Sequence, residues 1–230
     1  MSQQFASDNN AGLCPEALEA FLRVNAEGHA VGYGNDIWTE TARNRLRTLF
    51  ETDADVFLVF GGTASNALAL GHICRSYHAV VAHVESHVAT DEAGAAGFFS
   101  GGAAMLTADT PLGKLTPEAV ERLATAGKGV HSVKPRALSL TQATELGTVY
   151  SAAEIAALTE VARRHGMKVH MDGARFANSI AHLDCKPADL SWRVGVDVLS
   201  LGGVKNGLAA GEAVLFFERA LAEEFEWRVE

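Results

Sequence analysis

The stretch "SAAEIAALTEVARRHGMKVHMDGAR", residues 151–175, joins an amphipathic segment to an apolar one, and this junction decides the fold class. Apolar residues recur at helical spacing from Ser151, and Gly166 closes the segment, so we predict a helix over 151–166. The apolar run 168–172 is too short for a helix and predicts a strand. A helix that feeds a buried strand is typical of a mostly parallel α/β sheet covered on both faces.

The same alternation runs through the rest of the chain. Segments with helical periodicity predict helices over 14–28, 39–53, 61–75 and 115–127. Short apolar runs predict strands over 55–60, 79–84, 136–140, 197–201 and 213–217. Thr39 and Thr116 are the predicted helix caps, and the glycine-rich stretch 94–104 is a predicted loop. The buried side of the second helix is predicted to consist of Leu46, Leu49 and Phe50.

Composition indicates a globular chain and excludes several classes of partner. The 230 residues are 48% hydrophobic and 20% charged, enough for one large domain. A formal net charge of -9 argues against a nucleic-acid or anionic-membrane partner. No leader-like start and no run of about 20 apolar residues is present in the sequence. Three cysteines without a CxxC pair favour reduced thiols, a cytoplasmic location and no metal site.

Three polar or glycine-rich turns follow predicted strands. They read "GGTASN" at 61–66, "DGAR" at 172–175 and "GGVKNG" at 202–207. Ligands of open α/β sheets collect at the carboxyl ends of the strands. We therefore expect the three turns to converge on one pocket.

The first turn has the composition of a phosphate-binding helix start. Gly61 and Gly62 permit close backbone approach, and Thr63 and Ser65 offer hydroxyls beside unpaired N–H groups. An ordinary tight strand-to-helix turn would have the same composition. The spacing fits neither a Walker A loop nor a GxGxxG motif.

The other two turns place charges at the ends of apolar strands. Asp172 needs a cation or a donor there, and Arg175 is the candidate cation. Lys205 lies among glycines and apolar residues, where a buried amine would be able to attack a carbonyl group. Alone, each has an ordinary interpretation as an ion-paired turn or a surface lysine. Together with the phosphate-binding turn they are the parts that hold pyridoxal 5'-phosphate (PLP).

The chain resembles the low-specificity L-threonine aldolases, in the branch related to phenylserine aldolases. The resemblance runs from about residue 5 to the end and is carried by "ASDNNAG", "GGTASNALAL", "ESHVATDEAGA", "HMDGARFANS" and "SLGGVKNGLAAGEAVLFF". It implies the fold type I architecture of PLP enzymes, with a mostly parallel seven-stranded sheet and helices on both faces. The implied activity is cleavage of β-hydroxy-α-amino acids such as L-threonine, L-allo-threonine or phenylserine to glycine and an aldehyde.

The resemblance also implies roles for individual residues. Lys205 corresponds to the lysine that forms the Schiff base with PLP, and Asp172 to the partner of the pyridine nitrogen. His87 matches the histidine that stacks on the cofactor ring. The implied cofactor-binding set is Gly61, Gly62, Thr63, His87, Asp172, Arg175 and Lys205.

Substrate contacts are implied for three further matches. Ser7 corresponds to the serine that touches the substrate carboxylate, Arg175 to an arginine near the same group, and Tyr33 to a further contact residue. Glu92 also matches a position of the motif. The implied assembly is a homotetramer, a dimer of dimers.

Two departures from the family pattern affect these expectations. Thr144 stands where some members have a second histidine, so His87, directly or through a water, becomes the candidate base, because threonine does not accept protons at neutral pH. The second departure is length, and we expect the family's small C-terminal domain to be absent from this chain. We therefore divide the chain into an N-terminal substrate-contacting segment, 1–14, and a PLP-binding large domain, 15–230, and expect weak or absent activity from this chain alone.

Other interpretations remain open at this stage. Another fold type I lyase, tryptophanase-like or cysteine-desulfurase-like, would share the cofactor residues. A truncated relative that serves only as an inactive scaffold would share the fold. Release of acetaldehyde or benzaldehyde would distinguish an aldolase from another fold type I lyase. The absence of a yellow species reducible by borohydride would identify an inactive scaffold.

Overall fold

The computed structural model describes residues 5–230, and the strands of this range form one seven-stranded sheet. The strands are β1 (Asp55–Val59), β2 (His78–His83), β3 (Ala104–Ala108), β4 (Lys134–Thr141), β5 (Lys168–Gly173), β6 (Val198–Leu201) and β7 (Glu212–Phe216). Their spatial order is β1-β7-β6-β5-β4-β2-β3. Only β7 runs antiparallel to its neighbours, β6 and β1, within these residues. The predicted mostly parallel sheet is confirmed.

Helices connect most of the strands. They are α1 (Pro15–Ala26), α2 (Ile37–Leu49), α3 (Gly62–Ile73), α4 (His87–Thr90), α5 (Ala95–Phe99), α6 (Pro117–Thr125), α7 (Ala152–Arg164), α8 (Phe176–Leu183) and α9 (Glu226–Val229). Thr116 caps α6, as predicted. Ser151, where the helix of the opening stretch was predicted to begin, caps α7 in a reciprocal box with Glu154. None of the helices in residues 5–230 combines the length and apolarity that crossing a bilayer would take.

Helices cover both faces of the sheet, as expected. Val81 and Leu138 belong to the apolar cluster on the side of α2, α6, α7 and α8. Their neighbours Val80 and Ala137 belong to a second cluster with α3 and α5. Because successive side chains of a strand point to opposite faces, the two clusters lie on opposite sides. The central strands are therefore rigidly held, and their carboxyl ends can position a site.

The start and the buried side of α2 differ from the sequence-based expectation. Asp36 is the cap and accepts the backbone N–H of Thr39 at 2.8 Å, so the prediction of Thr39 as the cap is wrong. Asp is a strong N-cap, and the helix begins at Ile37, one turn earlier than predicted. Phe50 is fully buried as expected, whereas Leu49 is 52% exposed.

The stretch 94–104 is not a loop throughout. It contains α5 and leads into β3, a strand that the sequence analysis missed. The helix α5 packs closely on α3, because Gly71 of α3 has no side chain: a Cβ there would lie 2.8 Å from the carbonyl oxygen of Phe99. The predicted loop is therefore partly helical. In contrast, β1 is less buried than expected, since Leu58 at this edge is 39% exposed.

Candidate active site

A cavity of about 330 Å³ lies at the carboxyl ends of β1, β4, β5 and β6. Residues from all three predicted turns line it. Its lining includes every residue of the expected cofactor set, namely Gly61, Gly62, Thr63, His87, Asp172, Arg175 and Lys205. The volume is within the range of sites for small ligands and cofactors.

The start of α3 leaves backbone donors open to this cavity. Gly61 is the N-cap in an extended conformation, and no side chain of the described residues caps the helix. A Cβ on Gly61 or Gly62 would meet no protein atom within 4 Å, so the backbone faces open space. Ser65 is buried and donates its hydroxyl to the Gly62 carbonyl at 2.7 Å, so the expectation of a free Ser65 hydroxyl is wrong. Exposed Thr63 and the N–H groups remain for an anion.

Asp172 ends β5 as a buried carboxylate, 3% exposed. It accepts hydrogen bonds from the side-chain amide of Asn66 at 2.9 Å and from the backbone N–H of Ala174 at 3.0 Å. The expectation that Arg175 is its cation is wrong, because Arg175 is hydrogen-bonded elsewhere. Two neutral donors thus fix the position of the carboxylate, which lines the cavity and remains available to a ligand there.

Arg175 pairs with Asp8 of the N-terminal segment. Its Nε and Nη2 donate to the two Asp8 oxygens at 2.5 and 3.1 Å. Burial alone would raise the pKa of Asp8, but the hydrogen bond and charge of Arg175 outweigh burial and hold that pKa below its usual value. The next residue, Asn9, lines the cavity. Sequence reasoning missed both Asp8 and Asn9, although they follow Ser7 directly.

Ser7 and Tyr33 do not reach the cavity of the single described chain. Ser7 is exposed and caps the short turn Asp8–Asn10 by accepting the Asn9 N–H at 3.2 Å. Tyr33 is 88% exposed and lies in a loop. Their roles in substrate binding stay predictions.

Lys205 lies in the 3-10 turn Val204–Asn206 that follows β6. It is half-buried, not buried as expected, and its side chain lines the cavity together with that of Asp172. The amide of Asn206 donates to the carbonyl groups of Ala174 at 3.1 Å and Gly202 at 2.9 Å. This amide ties the turn of the lysine to the turn of the aspartate.

Glycine is required around Lys205 because backbones approach closely there. A Cβ on Gly202 would lie 2.3 Å from the Ala174 oxygen, and one on Gly203 would lie 2.2 Å from the Gly211 oxygen. Glu212, at the start of β7, accepts the Gly203 N–H at 2.7 Å. Burial raises the pKa of Glu212, while these backbone donors oppose the shift. The glycine-rich sequence therefore fixes the position of the amine.

His87 and Glu92 form a second polar pair in the cavity wall. His87 Nδ1 lies 3.2 Å from an oxygen of Glu92, whose side chain is fully buried. That hydrogen bond raises the pKa of His87 more than burial lowers it. The same Glu92 oxygen accepts the Asn66 amide at 2.8 Å. The pair holds the His87 ring in place.

The ligating atoms of His87, Glu92 and Asp172 lie within 4.8 Å of one another, close enough to raise the question of a metal ion. However, the Asn66 amide nitrogen donates to both carboxylates. A donor between the two acceptors occupies the place where a cation would have to bind both. We therefore interpret this group as a hydrogen-bonded network.

The residues present fit pyridoxal phosphate. A buried carboxylate suits a protonated ring nitrogen, an amine suits an aldehyde, and the uncapped start of α3 suits a phosphate. The buried Asn66 Oδ1 has no hydrogen-bond partner among residues 5–230, so the cavity wall retains an unsatisfied acceptor. Sequence reasoning missed Asn66 because nothing in a helical apolar pattern marks one inward-facing amide.

The expected second histidine position is structural here. Thr144 is buried, and its hydroxyl is hydrogen-bonded to that of Thr148 at 2.7 Å. The next residue, Glu145, lines the cavity and accepts the His87 backbone N–H at 2.7 Å. The sequence contained a signal for Glu145, namely an ionisable group next to the departure from the family pattern.

Comparison with known proteins agrees with this architecture. The chain is 52% identical to the low specificity L-threonine aldolase of Pseudomonas aeruginosa and 51% identical to that of a Pseudomonas sp.. Each alignment covers 99% of this chain and 65% of the relative, so the chain spans 65% of the length of these relatives. The threonine aldolase structure of Leishmania major matches with a TM-score of 0.90 and 30% identity, over 97% of this chain and 65% of that one.

The family model "Beta-eliminating lyase" matches residues 4–229. Members of this family depend on PLP, the cofactor that the cavity residues fit. The match extends over nearly all of the sequence, including the three turns that meet at the cavity. The chain belongs to the beta-eliminating lyase family.

Proposed function

We propose that this chain carries the active site of a PLP-dependent aldolase that cleaves β-hydroxy-α-amino acids to glycine and an aldehyde. L-Threonine and L-allo-threonine are the proposed substrates, with phenylserine as a further candidate. One observation carries the proposal: Asp172, Lys205 and the uncapped start of α3 line the same cavity. The two Pseudomonas relatives are low specificity L-threonine aldolases, which supports the substrate class.

Each element of the site has a proposed task. The Lys205 amine would bind the cofactor aldehyde, Asp172 the ring nitrogen, and the backbone of Gly61, Gly62 and Thr63 the phosphate. The planar imidazole of His87 would stack on the planar pyridine ring of the cofactor. When bound, PLP supplies an electron sink for the bond that breaks at Cα.

Arg175 is the proposed contact for the substrate carboxylate. Its planar fork suits a carboxylate, and Asp8 holds that fork in a fixed orientation. Since Asp8 also neutralises the arginine, substrate would share or displace this contact. The proposed Ser7 and Tyr33 contacts would require parts of the assembly beyond one described chain.

The proposed assembly is a homotetramer located in the cytoplasm. Apolar side chains on the outside of α1 support further packing: Phe21 is 67% exposed and Leu22 is 59% exposed. Light scattering of the purified protein measures the assembly directly.

The cofactor linkage is the first experiment. The protein is incubated with PLP, its visible spectrum is recorded before and after borohydride reduction, and the modified peptide is mapped by mass spectrometry. We expect a yellow species that reduction fixes on Lys205, and none in Lys205→Ala. Aldehyde release from L-threonine and phenylserine is then assayed. A fixed cofactor without aldehyde release would favour another lyase of this fold, and no fixed cofactor would favour an inactive scaffold.

A further inference from the structure

Glu145 places a carboxyl group in the cavity that the expected residue set did not include. It lies in the turn after β4, is half-buried, and lines the cavity together with Lys205 and Asp172. One of its oxygens accepts the backbone N–H of His87 at 2.7 Å. This contact holds the carboxyl group against the segment that carries the histidine.

The other carboxylates of the cavity wall already have structural tasks. Asp172 accepts from Asn66 and Ala174, and Glu212 accepts from the turn of the lysine. Both oxygens of Asp172 and both oxygens of Glu212 accept hydrogen bonds, whereas for Glu145 one oxygen accepts the His87 N–H. Like the other two carboxylates, Glu145 forms no salt bridge with a lysine or arginine among residues 5–230. It is a carboxyl group in the site without a neutralising cation.

Its surroundings make Glu145 a stronger proton acceptor than an exposed glutamate. Burial raises the pKa of Glu145, the negative charge of Asp172 adds to the shift, and the N–H of His87 opposes it. A base with a raised pKa accepts a proton more readily as long as it remains ionised.

The two alternative candidates for the base, His87 and Thr144, are less suited to accept a proton. The Glu92 hydrogen bond raises the pKa of His87. A larger fraction of the protein molecules therefore has a protonated His87 ring near neutral pH. The Thr144 hydroxyl is buried and hydrogen-bonded to Thr148, and a threonine hydroxyl does not titrate near neutral pH.

We propose that Glu145 is the catalytic base that accepts the proton of the substrate's β-hydroxyl during carbon–carbon cleavage. This inference rests on the proposed function. The hydroxyl O–H bond breaks, its proton bonds to the Glu145 carboxylate, and its electron pair forms the C=O bond of the aldehyde. The Cα–Cβ bond breaks, and its electron pair stays on Cα, for which PLP would supply the electron sink when bound. Cα then takes up a proton to give glycine, and Glu145 returns its proton to solvent.

Glycine separates this role from a structural one because it has no β-hydroxyl. A base for the hydroxyl is needed for cleavage, but not for exchange of the α-proton of glycine. The test compares Glu145→Gln with the unsubstituted protein and with Glu19→Gln, an exposed glutamate on α1. Three quantities are measured: aldehyde release, exchange of the glycine α-proton in D₂O by NMR, and the affinities for PLP and glycine from the visible spectrum.

We expect Glu145→Gln to lower cleavage by about 10²–10⁴-fold, the usual contribution of a positioned base. Glycine exchange and both affinities are expected to remain close to those of the unsubstituted protein, as in Glu19→Gln. Glu145→Asp keeps an ionisable group and is expected to recover part of the cleavage, which covers the case in which the glutamine variant folds poorly.

Equal loss of cleavage and glycine exchange in both Glu145 variants would overturn the proposal, because it would indicate a role in shaping the site. Unchanged cleavage in Glu145→Gln would overturn it as well. Failure of the proposed function looks different: the unsubstituted protein itself would bind PLP and exchange glycine without releasing aldehyde, and the assignment of Glu145 would fall with that function.

Discussion

Arg175 and Asp8 lie 167 positions apart in the chain and are joined by two hydrogen bonds, at 2.5 and 3.1 Å. The backbone N–H of Cys14 donates to Gly207 at 2.9 Å, so the N-terminal segment also reaches the turn that carries Lys205. The segment therefore connects the arginine turn to the lysine turn across the mouth of the cavity.

Asp8→Asn is expected to weaken substrate binding more than stability. The pair is partly exposed, so its loss costs about 1 kcal/mol or less, but Arg175 loses its fixed orientation. We expect KM for L-threonine to rise about fivefold, which corresponds to about 1 kcal/mol, with PLP affinity unchanged. Steady-state kinetics measures both, with Asp109→Asn as an exposed control. An unchanged KM would show that Arg175 does not depend on Asp8.

The His87–Glu92 pair is expected to stabilise the protein in a pH-dependent way. The folded-state pKa of His87 is raised, so its contribution is fully present below the unfolded value of about 6.5 and is lost as pH rises through the folded value. The difference in free energy of unfolding between the unsubstituted protein and Glu92→Gln should shrink as the pH rises above about 6.5 and through the raised folded-state pKa of His87.

NMR titration of the His87 ring provides the direct measurement. The midpoint should lie above the ordinary histidine value in the unsubstituted protein and fall in Glu92→Gln. A midpoint that does not respond to this substitution would mean that Glu92 is not the cause of the shift.

Asp172→Asn is expected to abolish most activity while the protein stays folded. The neutral amide cannot hold a proton on the ring nitrogen, and its single oxygen can accept from only one of the two donors, Asn66 and Ala174, that the carboxylate satisfies. We expect kcat to fall at least about 10²-fold, the scale for loss of an electrostatic partner of a reacting centre. Borohydride should still fix PLP on Lys205. Retention of full turnover would remove Asp172 from the ring nitrogen.

Two alanine substitutions at glycines are expected to affect different properties: Gly61→Ala the affinity for PLP, and Gly203→Ala the stability of the fold. Gly61→Ala adds a methyl group to open space, so the melting temperature should not fall, but the affinity for PLP should drop about tenfold or more, or about 1.4 kcal/mol. Gly203→Ala collides with the Gly211 carbonyl and should cost about 1–3 kcal/mol of stability. Calorimetry and spectral titration measure the two quantities. Equal PLP affinity in Gly61→Ala would place the phosphate elsewhere.

The sequence predicted the sheet well because its central strands are apolar throughout. β2 is buried at every position, and its composition admits few alternatives. The errors occurred where a local pattern competes with packing. Asp36 was overlooked as the cap of α2, and β3 was missed because the glycine-rich stretch 94–104 before it was assigned to a loop.

The site residues at the carboxyl ends of strands were predicted, whereas residues that enter the site through contacts distant in sequence were missed. Asp172 lies at the carboxyl end of β5 and Lys205 lies in the turn after the neighbouring strand β6, so topology brings them together. Asn66, Asp8 and Glu145 act through contacts distant in sequence, such as the Asn66–Asp172 hydrogen bond across 106 positions. The pattern of a single segment does not show such pairings. Of these three residues only Glu145 carried a signal, as an ionisable group next to the departure from the family pattern at Thr144.

The position of β1 bears on how a nascent chain acquires its cofactor. Among residues 5–230 the strand paired with β1 is β7, which lies much later in the chain. The glycine turn after β1 therefore leaves the ribosome early but cannot be anchored at the sheet edge until β7 has emerged. Binding of PLP should therefore follow the emergence of β7 from the ribosome. A shorter nascent fragment would expose the glycines after β1 without a complete pocket around the turn that carries Lys205.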